Sequence, residues 1–124
     1  MNLVDTCGWL EYLAGTENAK NFEKEILDTK SLIVPTIVIY EVFKKVTLDF
    51  NEDTALEVVA ELKQGQVIEV NETISIYAAK LSIEKKLPMA DALIYATGLL
   101  NDAIILTQDN HFEGLAGVSH FKKK

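Results

Sequence analysis

Short aliphatic runs at Leu3-Val4, Leu32-Ile33-Val34 and Ala103-Ile104-Ile105-Leu106 recur along the chain, and helical periodicity fills the stretches between them. Runs this short suit buried strands, and strands that alternate with helices imply a mostly parallel sheet with helices on both faces. The expected architecture is therefore α/β, a three-layer α/β/α arrangement around four to five central strands.

The local signals give the elements in more detail. Met1 to Val4 reads as the first strand, and Asp5-Thr6 supplies capping side chains for a helix from Cys7 to Ala14 that Gly15 closes. Thr16 is expected to cap a second helix over Glu17 to Leu27. Pro35 ends the Leu32 strand, Thr36 opens a helix to Leu48, and Asn51 opens another that Gly65 stops. Gln66 to Val70 reads as a strand, and Asn71 caps a helix with an inner stripe of Ile74, Tyr77, Ala78 and Leu81. Leu87-Pro88 breaks that helix. Met89 to Leu100 is then a helix apolar on nearly every face, followed by the Ala103 strand, a turn at Gln108 to Asn110, and an edge strand over Val118 to Phe121.

With 124 residues the chain is expected to form one domain, residues 1–121, followed by the basic tail 122–124. The longest apolar run, Leu32 to Tyr40, is interrupted by Pro35 and falls far short of the roughly 20 residues a membrane span needs. The start also lacks the basic segment of a secretory signal, so no membrane association and a cytoplasmic location are expected. Cys7 is the only cysteine, which excludes an internal disulfide framework and a cysteine-built zinc site. The formal charge is −7 and all twelve basic residues are lysine. Tight sequence-independent binding to nucleic-acid phosphates rests on many basic contacts, and a chain without arginine has no bidentate phosphate clamp.

Against this background four carboxylates stand almost alone among apolar residues: Asp5 after the first strand, Glu41 after Ile37 to Tyr40, Asp91 between Leu87 and Leu100, and Asp109 just beyond the Ala103 strand. Each has an ordinary structural reading. Asp5 can cap a helix, Glu41 can pair with Lys44 or Lys45, Asp91 can complement a helix dipole, and Asp109 can form a turn. Jointly they ask for more, because charged side chains on core-forming segments are rarely buried unless paired or bound to metal. In open parallel sheets ligands bind beyond the carboxyl ends of the strands, where all four of these segments can meet. Two carboxylates about 4 Å apart repel by roughly 4 kcal/mol at an effective dielectric near 20, so four together need a cation or strongly shifted pKa values. Hard oxygen donors select Mg²⁺ or Mn²⁺, ions suited to phosphodiester hydrolysis.

At these residues the chain resembles the PIN-domain nucleases, and most closely the small VapC-type ribonuclease toxins of toxin-antitoxin pairs. The matching pieces are Leu3-Val4-Asp5-Thr6, Glu41, Met89-Ala90-Asp91-Ala92-Leu93-Ile94 and Leu106-Thr107-Gln108-Asp109-Asn110-His111-Phe112. Their order and spacing cover essentially the whole chain. The resemblance implies that Asp5, Glu41, Asp91 and Asp109 hold Mg²⁺ or Mn²⁺, with Thr107 in support; Thr6 reads first as a helix cap, with a supporting contact to the metal shell open to it. It further implies an endoribonuclease acting on RNA, with a small antitoxin protein as partner. Cys7 departs from the family's usual serine or asparagine at its position.

Two other functions fit the same fold: a PIN nuclease of RNA processing or decay without an antitoxin, and a non-catalytic PIN-like binding module. An aspartyl-phosphate receiver is set aside because Asp5 is a single acid after the first strand, and a two-aspartate phosphatase because Cys7 stands two positions later. Among the remaining residues, Cys7 reads as a small buried hydrophobe, and His111 and His120 as turn and surface residues with a phosphate contact open to His111. Trp9, Phe22, Tyr40 and Tyr95 read as core. The third and fourth helices carry more apolar residues, from Ile37 to Leu62, than one sheet face needs, which makes them the expected surface for a homodimer and for the antitoxin.

Overall fold

The computed structural model describes residues 1–124. Five parallel strands, β1 (Asn2–Val4), β2 (Leu32–Pro35), β3 (Gln66–Ile68), β4 (Ile104–Thr107) and β5 (Val118–His120), form one sheet in the order β3-β2-β1-β4-β5. In register, Leu3 of β1 lies between Ile33 of β2 and Ile105 of β4. Six α-helices connect and flank the strands: α1 (Thr6–Ala14), α2 (Glu23–Leu27), α3 (Thr36–Asp49), α4 (Glu52–Leu62), α5 (Glu72–Lys85) and α6 (Met89–Leu100). No helix is long and apolar enough to cross a membrane.

Successive side chains of a strand point to opposite faces, and β1 uses both. A Cβ added at Gly8 of α1 would stand 2.7 Å from Val4 and 2.6 Å from the Phe22 ring. One added at Gly98 of α6 would stand 2.7 Å from Ile105 and 3.5 Å from Leu3. So α1 presses on the Val4 face and α6 on the Leu3 face, each through a glycine that lets helix and strand approach closely. This accounts for the three layers and for the complete burial of Leu3 and Val4.

Several helix ends follow the sequence signals. Asp5 caps α1, Asn51 accepts the Thr54 N–H at the start of α4, Asn71 accepts the Ile74 N–H at the start of α5, and Gly15 ends α1 with φ of 64°. Other expectations are corrected. The helix expected over Glu17 to Leu27 divides into a 3₁₀ segment, Glu17–Asn21, and the short α2, because Asn18 turns inward to a polar partner and Phe22 into the core. Thr16 does not cap it; its hydroxyl donates to the Glu11 carboxylate at 2.6 Å. The third strand stops at Ile68 rather than Val70, whose N–H donates instead to the Thr36 hydroxyl. Helix α4 ends at Leu62, before Gly65. Tyr40 is not core: α3 buries Val38, Val42 and Val46, and Tyr40 lies off that stripe and 58% exposed. His120 is half-buried rather than on the surface. The surplus of apolar surface on α3 and α4 is also smaller than expected, since Val38, Val42, Val46 and Leu62 are buried within the chain. Leu48, Phe50 and Leu56 remain exposed.

The two glycine contacts make a stability prediction. Gly98→Ala gains about 1 kcal/mol of helix propensity but forces a methyl against Ile105 in a packed core, where overpacking costs about 1 to 3 kcal/mol. A net loss of stability is expected in urea titration. A variant more stable than the parent would mean that α6 does not bear on the sheet at this point.

Candidate active site

The chain adds β2 and β3 on one side of β1, then crosses to β4 on the other. Where the winding direction reverses, the connections leaving two neighbouring strands diverge and open a crevice at their carboxyl ends. Here those strands are β1 and β4. Asp5 is the first residue after β1, and Asp109 follows β4 by two residues. Asp91 is in the first turn of α6, which runs back toward the start of β4, and Glu41 lies in the second turn of α3 after β2.

Asp5 anchors the arrangement and is 3% exposed. Its Oδ1 accepts the Thr6 N–H at 2.8 Å, and its Oδ2 accepts the Thr107 hydroxyl at 2.8 Å. The Thr107 oxygen in turn accepts the Asp109 N–H at 2.9 Å, so one buried hydroxyl ties the end of β1 to the loop after β4. The Thr6 hydroxyl donates to Glu41 Oε1 at 2.7 Å and draws α3 to the same edge. On the other side, His111 Nδ1 lies 2.8 Å from Asp91 Oδ2 and 3.2 Å from Asp109 Oδ1. All four acids identified from sequence thus lie in one network, joined through Thr6, Thr107 and His111.

The acids also sense one another. Burial raises the Asp5 pKa to about 6, opposed by the hydrogen bonds from Thr107 and Thr6 and reinforced by repulsion from Asp91 and Asp109. Burial likewise raises that of Asp91, with repulsion from Asp109 next and His111 acting against it; Glu41 adds a further repulsion. No lysine forms an ion pair with any of the four: Lys45 pairs with Asp49, and Lys44 stands over the Tyr40 ring. The alternative reading of Glu41, an ion pair with Lys44 or Lys45, is therefore not met. Four carboxylates in one network, rich in hard oxygen atoms and without a lysine counter-ion, form a donor set that fits a divalent cation.

Two side chains do more here than their sequence context indicated. Cys7 is half-buried beside the acids rather than part of the apolar core: its thiol lies 3.6 Å from Asp5 Oδ2 and 3.4 Å from the Thr107 hydroxyl, and accepts the Gln108 N–H at 3.5 Å. Burial and the neighbouring Asp5 push its pKa up to about 12, so it serves as a neutral donor and not as a nucleophile. His111 is drawn in by its turn. The Asp109 carboxylate accepts the His111 N–H at 2.9 Å, an Asx turn that brings the imidazole over the carboxylates. The signal in the sequence was the spacing of an aspartate two residues before a histidine. Sequence reasoning missed Asn18, whose amide donates to the buried Gln108 at 3.0 Å and braces the segment between Thr107 and Asp109; nothing in its local pattern marks it.

The model for the PIN domain matches residues 3–118. No curated protein matches the chain significantly in sequence. Among solved structures, a toxin-antitoxin complex from Klebsiella pneumoniae is similar at 21% identity and a TM-score of 0.82, with 99% of this chain and 100% of that one covered. DNA-bound VapBC from Salmonella typhimurium is similar at 16% identity, TM-score 0.75 and 98% of each chain. VapC20 from Mycobacterium tuberculosis, a Sarcin-Ricin loop cleaving toxin, aligns at 13% identity and TM-score 0.70 over 98% of this chain and 90% of that one. At these identities the structural likenesses speak for the fold, whereas the domain model spans nearly the whole sequence. This chain belongs to the PIN-domain family.

Proposed function

We propose that this protein is a metal-dependent endoribonuclease of the VapC type, the toxin of a toxin-antitoxin pair. The observation that carries the reading is the convergence of Asp5, Glu41, Asp91 and Asp109 from four distant segments on one strand edge, without a lysine counter-ion. These four would hold Mg²⁺ or Mn²⁺. When bound, such an ion supplies Lewis acidity and neutralises charge that develops on a phosphodiester. Thr107 and the Thr6 N–H orient Asp5 through one hydrogen bond to each carboxylate oxygen, and the Thr6 hydroxyl orients Glu41 through Oε1 alone; an ionised carboxylate has about four lone-pair sites, so both keep lone pairs for a ligand.

The surroundings suit single-stranded RNA. A cavity of about 220 Å³ beside Glu41 is lined by Tyr40, Lys44, Lys45 and Leu48. The exposed Tyr40 ring offers a stacking plate for a base, and Lys44 offers a point charge for a phosphate, whereas Lys45 is paired with Asp49. A second, apolar cavity of about 470 Å³ lies where α1, α3 and α4 meet, lined in part by Leu10, Leu13, Val46, Phe50 and Val58. It would receive an apolar segment of the antitoxin, while the exposed Leu48 and Leu56 nearby would serve contact with the antitoxin or with a second copy of this chain. The toxin-antitoxin complexes among the structural neighbours support this reading.

Asp5→Asn and Asp91→Asn are each expected to reduce cleavage of unstructured RNA in Mn²⁺ by at least about a hundredfold with an unchanged fold, since each keeps the side chain's size and removes a charged ligand. Cleavage near the parent rate in either variant would remove that residue from the site.

The elevated Asp5 pKa also ties stability to pH. A proton binds this carboxylate more tightly in the folded chain, near 6, than at its ordinary value of 3.8. The stability it contributes is complete below 3.8 and is lost as pH rises through about 6, a difference of about 3 kcal/mol. The protein in chelator should therefore lose stability between pH 4 and pH 7 through this group, and Asp5→Asn should flatten that slope. At pH 7.5, Mn²⁺ at a hundredfold excess over its Kd should restore about 2.7 kcal/mol. Thermal melts that ignore both Mn²⁺ and the Asp5→Asn change would contradict the proposed clustering of charge.

For the RNA path, Tyr40→Ala in the Asp5→Asn background should weaken binding of a labelled single-stranded RNA by about 1 to 3 kcal/mol, and Tyr40→Phe should not. Equal affinity for all three proteins in fluorescence anisotropy would move the strand to another surface.

A further inference from the structure

We propose that His111 is a nitrogen ligand in this metal centre and that it biases the centre toward Mn²⁺ over Mg²⁺; the inference rests on the function proposed above and adds its metal selectivity. Ligand atoms of Asp91, Asp109 and His111 all lie within 4.8 Å of one another. The separations from His111 Nδ1, 2.8 Å to Asp91 and 3.2 Å to Asp109, fall inside the roughly 4.6 Å that two bonds of about 2.3 Å to one ion can reach.

The imidazole is held there by the chain and not by packing. Its side chain is 57% exposed, so burial of apolar surface does not explain its position. The turn does: the backbone N–H of His111 is fixed on Asp109 Oδ1 at 2.9 Å, independently of the ring, and Asp109 itself is tied through its own N–H to Thr107. Nδ1 then points between the two carboxylates, 2.8 Å from one and 3.2 Å from the other. A protonated Nδ1 donates to these carboxylates, and once it has lost that proton the same nitrogen lone pair faces the space between their oxygen atoms, where an ion would sit.

The chemical consequence follows from donor type. Mg²⁺ prefers oxygen ligands and sheds water reluctantly, so an imidazole adds little to its binding. First-row transition ions accept imidazole more readily than Mg²⁺ does, Mn²⁺ the least of them, so replacing an oxygen or water donor by nitrogen shifts the balance toward Mn²⁺ and further toward the later ions of the series. A centre built of Asp91, Asp109 and His111, with Asp5 and Glu41 beside it, would thus separate Mn²⁺ from Mg²⁺ more sharply than carboxylates alone.

The test uses the whole purified protein and the ions themselves. Mn²⁺ binding is followed by electron paramagnetic resonance with electron-spin-echo detection of directly bonded nitrogen, and Mg²⁺ affinity by competition. The chain has two histidines, so a nitrogen signal lost in His111→Gln is assigned to His111. The expected result is nitrogen coupling in the parent protein, none in His111→Gln, and a Mn²⁺/Mg²⁺ affinity ratio that falls roughly tenfold or more in the variant. Asp91→Asn serves as the control for the metal centre and should weaken Mn²⁺ binding in any case. Mn²⁺ that binds in an Asp91-dependent way without nitrogen coupling, or with an unchanged ratio in His111→Gln, would overturn the role of His111 and leave the proposed centre standing. Parent protein that binds no Mn²⁺ at millimolar concentration would overturn both.

Discussion

The hydrogen bond from Thr107 to the buried carboxylate of Asp5 is the interaction on which the site depends. It closes the end of β1 onto the end of β4, the two strands between which the winding of the sheet reverses, and its oxygen also receives the Asp109 N–H. Without it, Asp5 would be a buried anion supported only by the Thr6 N–H and the weak thiol donor of Cys7. Even with it, desolvation leaves the group near pKa 6. The fold therefore holds a carboxylate in a place where the carboxylate is costly, and the complete burial of Leu3, Val4, Ile105 and Phe112 around it supplies the offsetting stability.

The remaining parts of the site are arranged around that anchor by short links. Thr6, the residue after Asp5, reaches Glu41 on α3, and the Asx turn at Asp109 carries His111 to Asp91 on α6. Each link is a hydroxyl, an imidazole or a backbone N–H, so the acids are positioned by neutral donors and one titratable ring and not by lysine. That choice matters for chemistry. A lysine ammonium paired with any of the four would stabilise the empty site and compete with a divalent ion for the same oxygens.

Much of this was legible in the sequence because two rules act locally. Strand and helix alternation depends on periodicity, and isolated carboxylates at strand ends are visible as exceptions to it, so β1, β4, α6 and the four acids could be read from their own neighbourhoods. What stayed hidden depends on partners distant in sequence. Asn18 breaks the expected Glu17 to Leu27 helix because Gln108, ninety positions away, needs its amide. Tyr40 reads as core from the apolar stripe it falls on, yet the stripe that the fold buries, Val38, Val42 and Val46, leaves it outside. Cys7 and His111 read as a buried hydrophobe and a turn residue, and their place beside the acids follows from Thr107 and Asp91, contacts that no spacing encodes.

Charge connects the site to the rest of the surface. The chain carries nineteen acids against twelve lysines and no arginine, so its overall field repels a polyanion. Three of those lysines end the chain, and Lys124 pairs with Glu17. In the proposed function the cation at the acidic edge then has two duties that cannot be separated: it neutralises the carboxylates that desolvation has made costly, and it presents local positive charge to a phosphate that the surrounding surface disfavours. In that function Tyr40 and Lys44 would extend the attraction beside Glu41, the lysine standing over the ring, while the next, Lys45, is engaged with Asp49. An enzyme so built would select where it cuts through a few contacts beside the metal, and would owe little to general affinity for RNA.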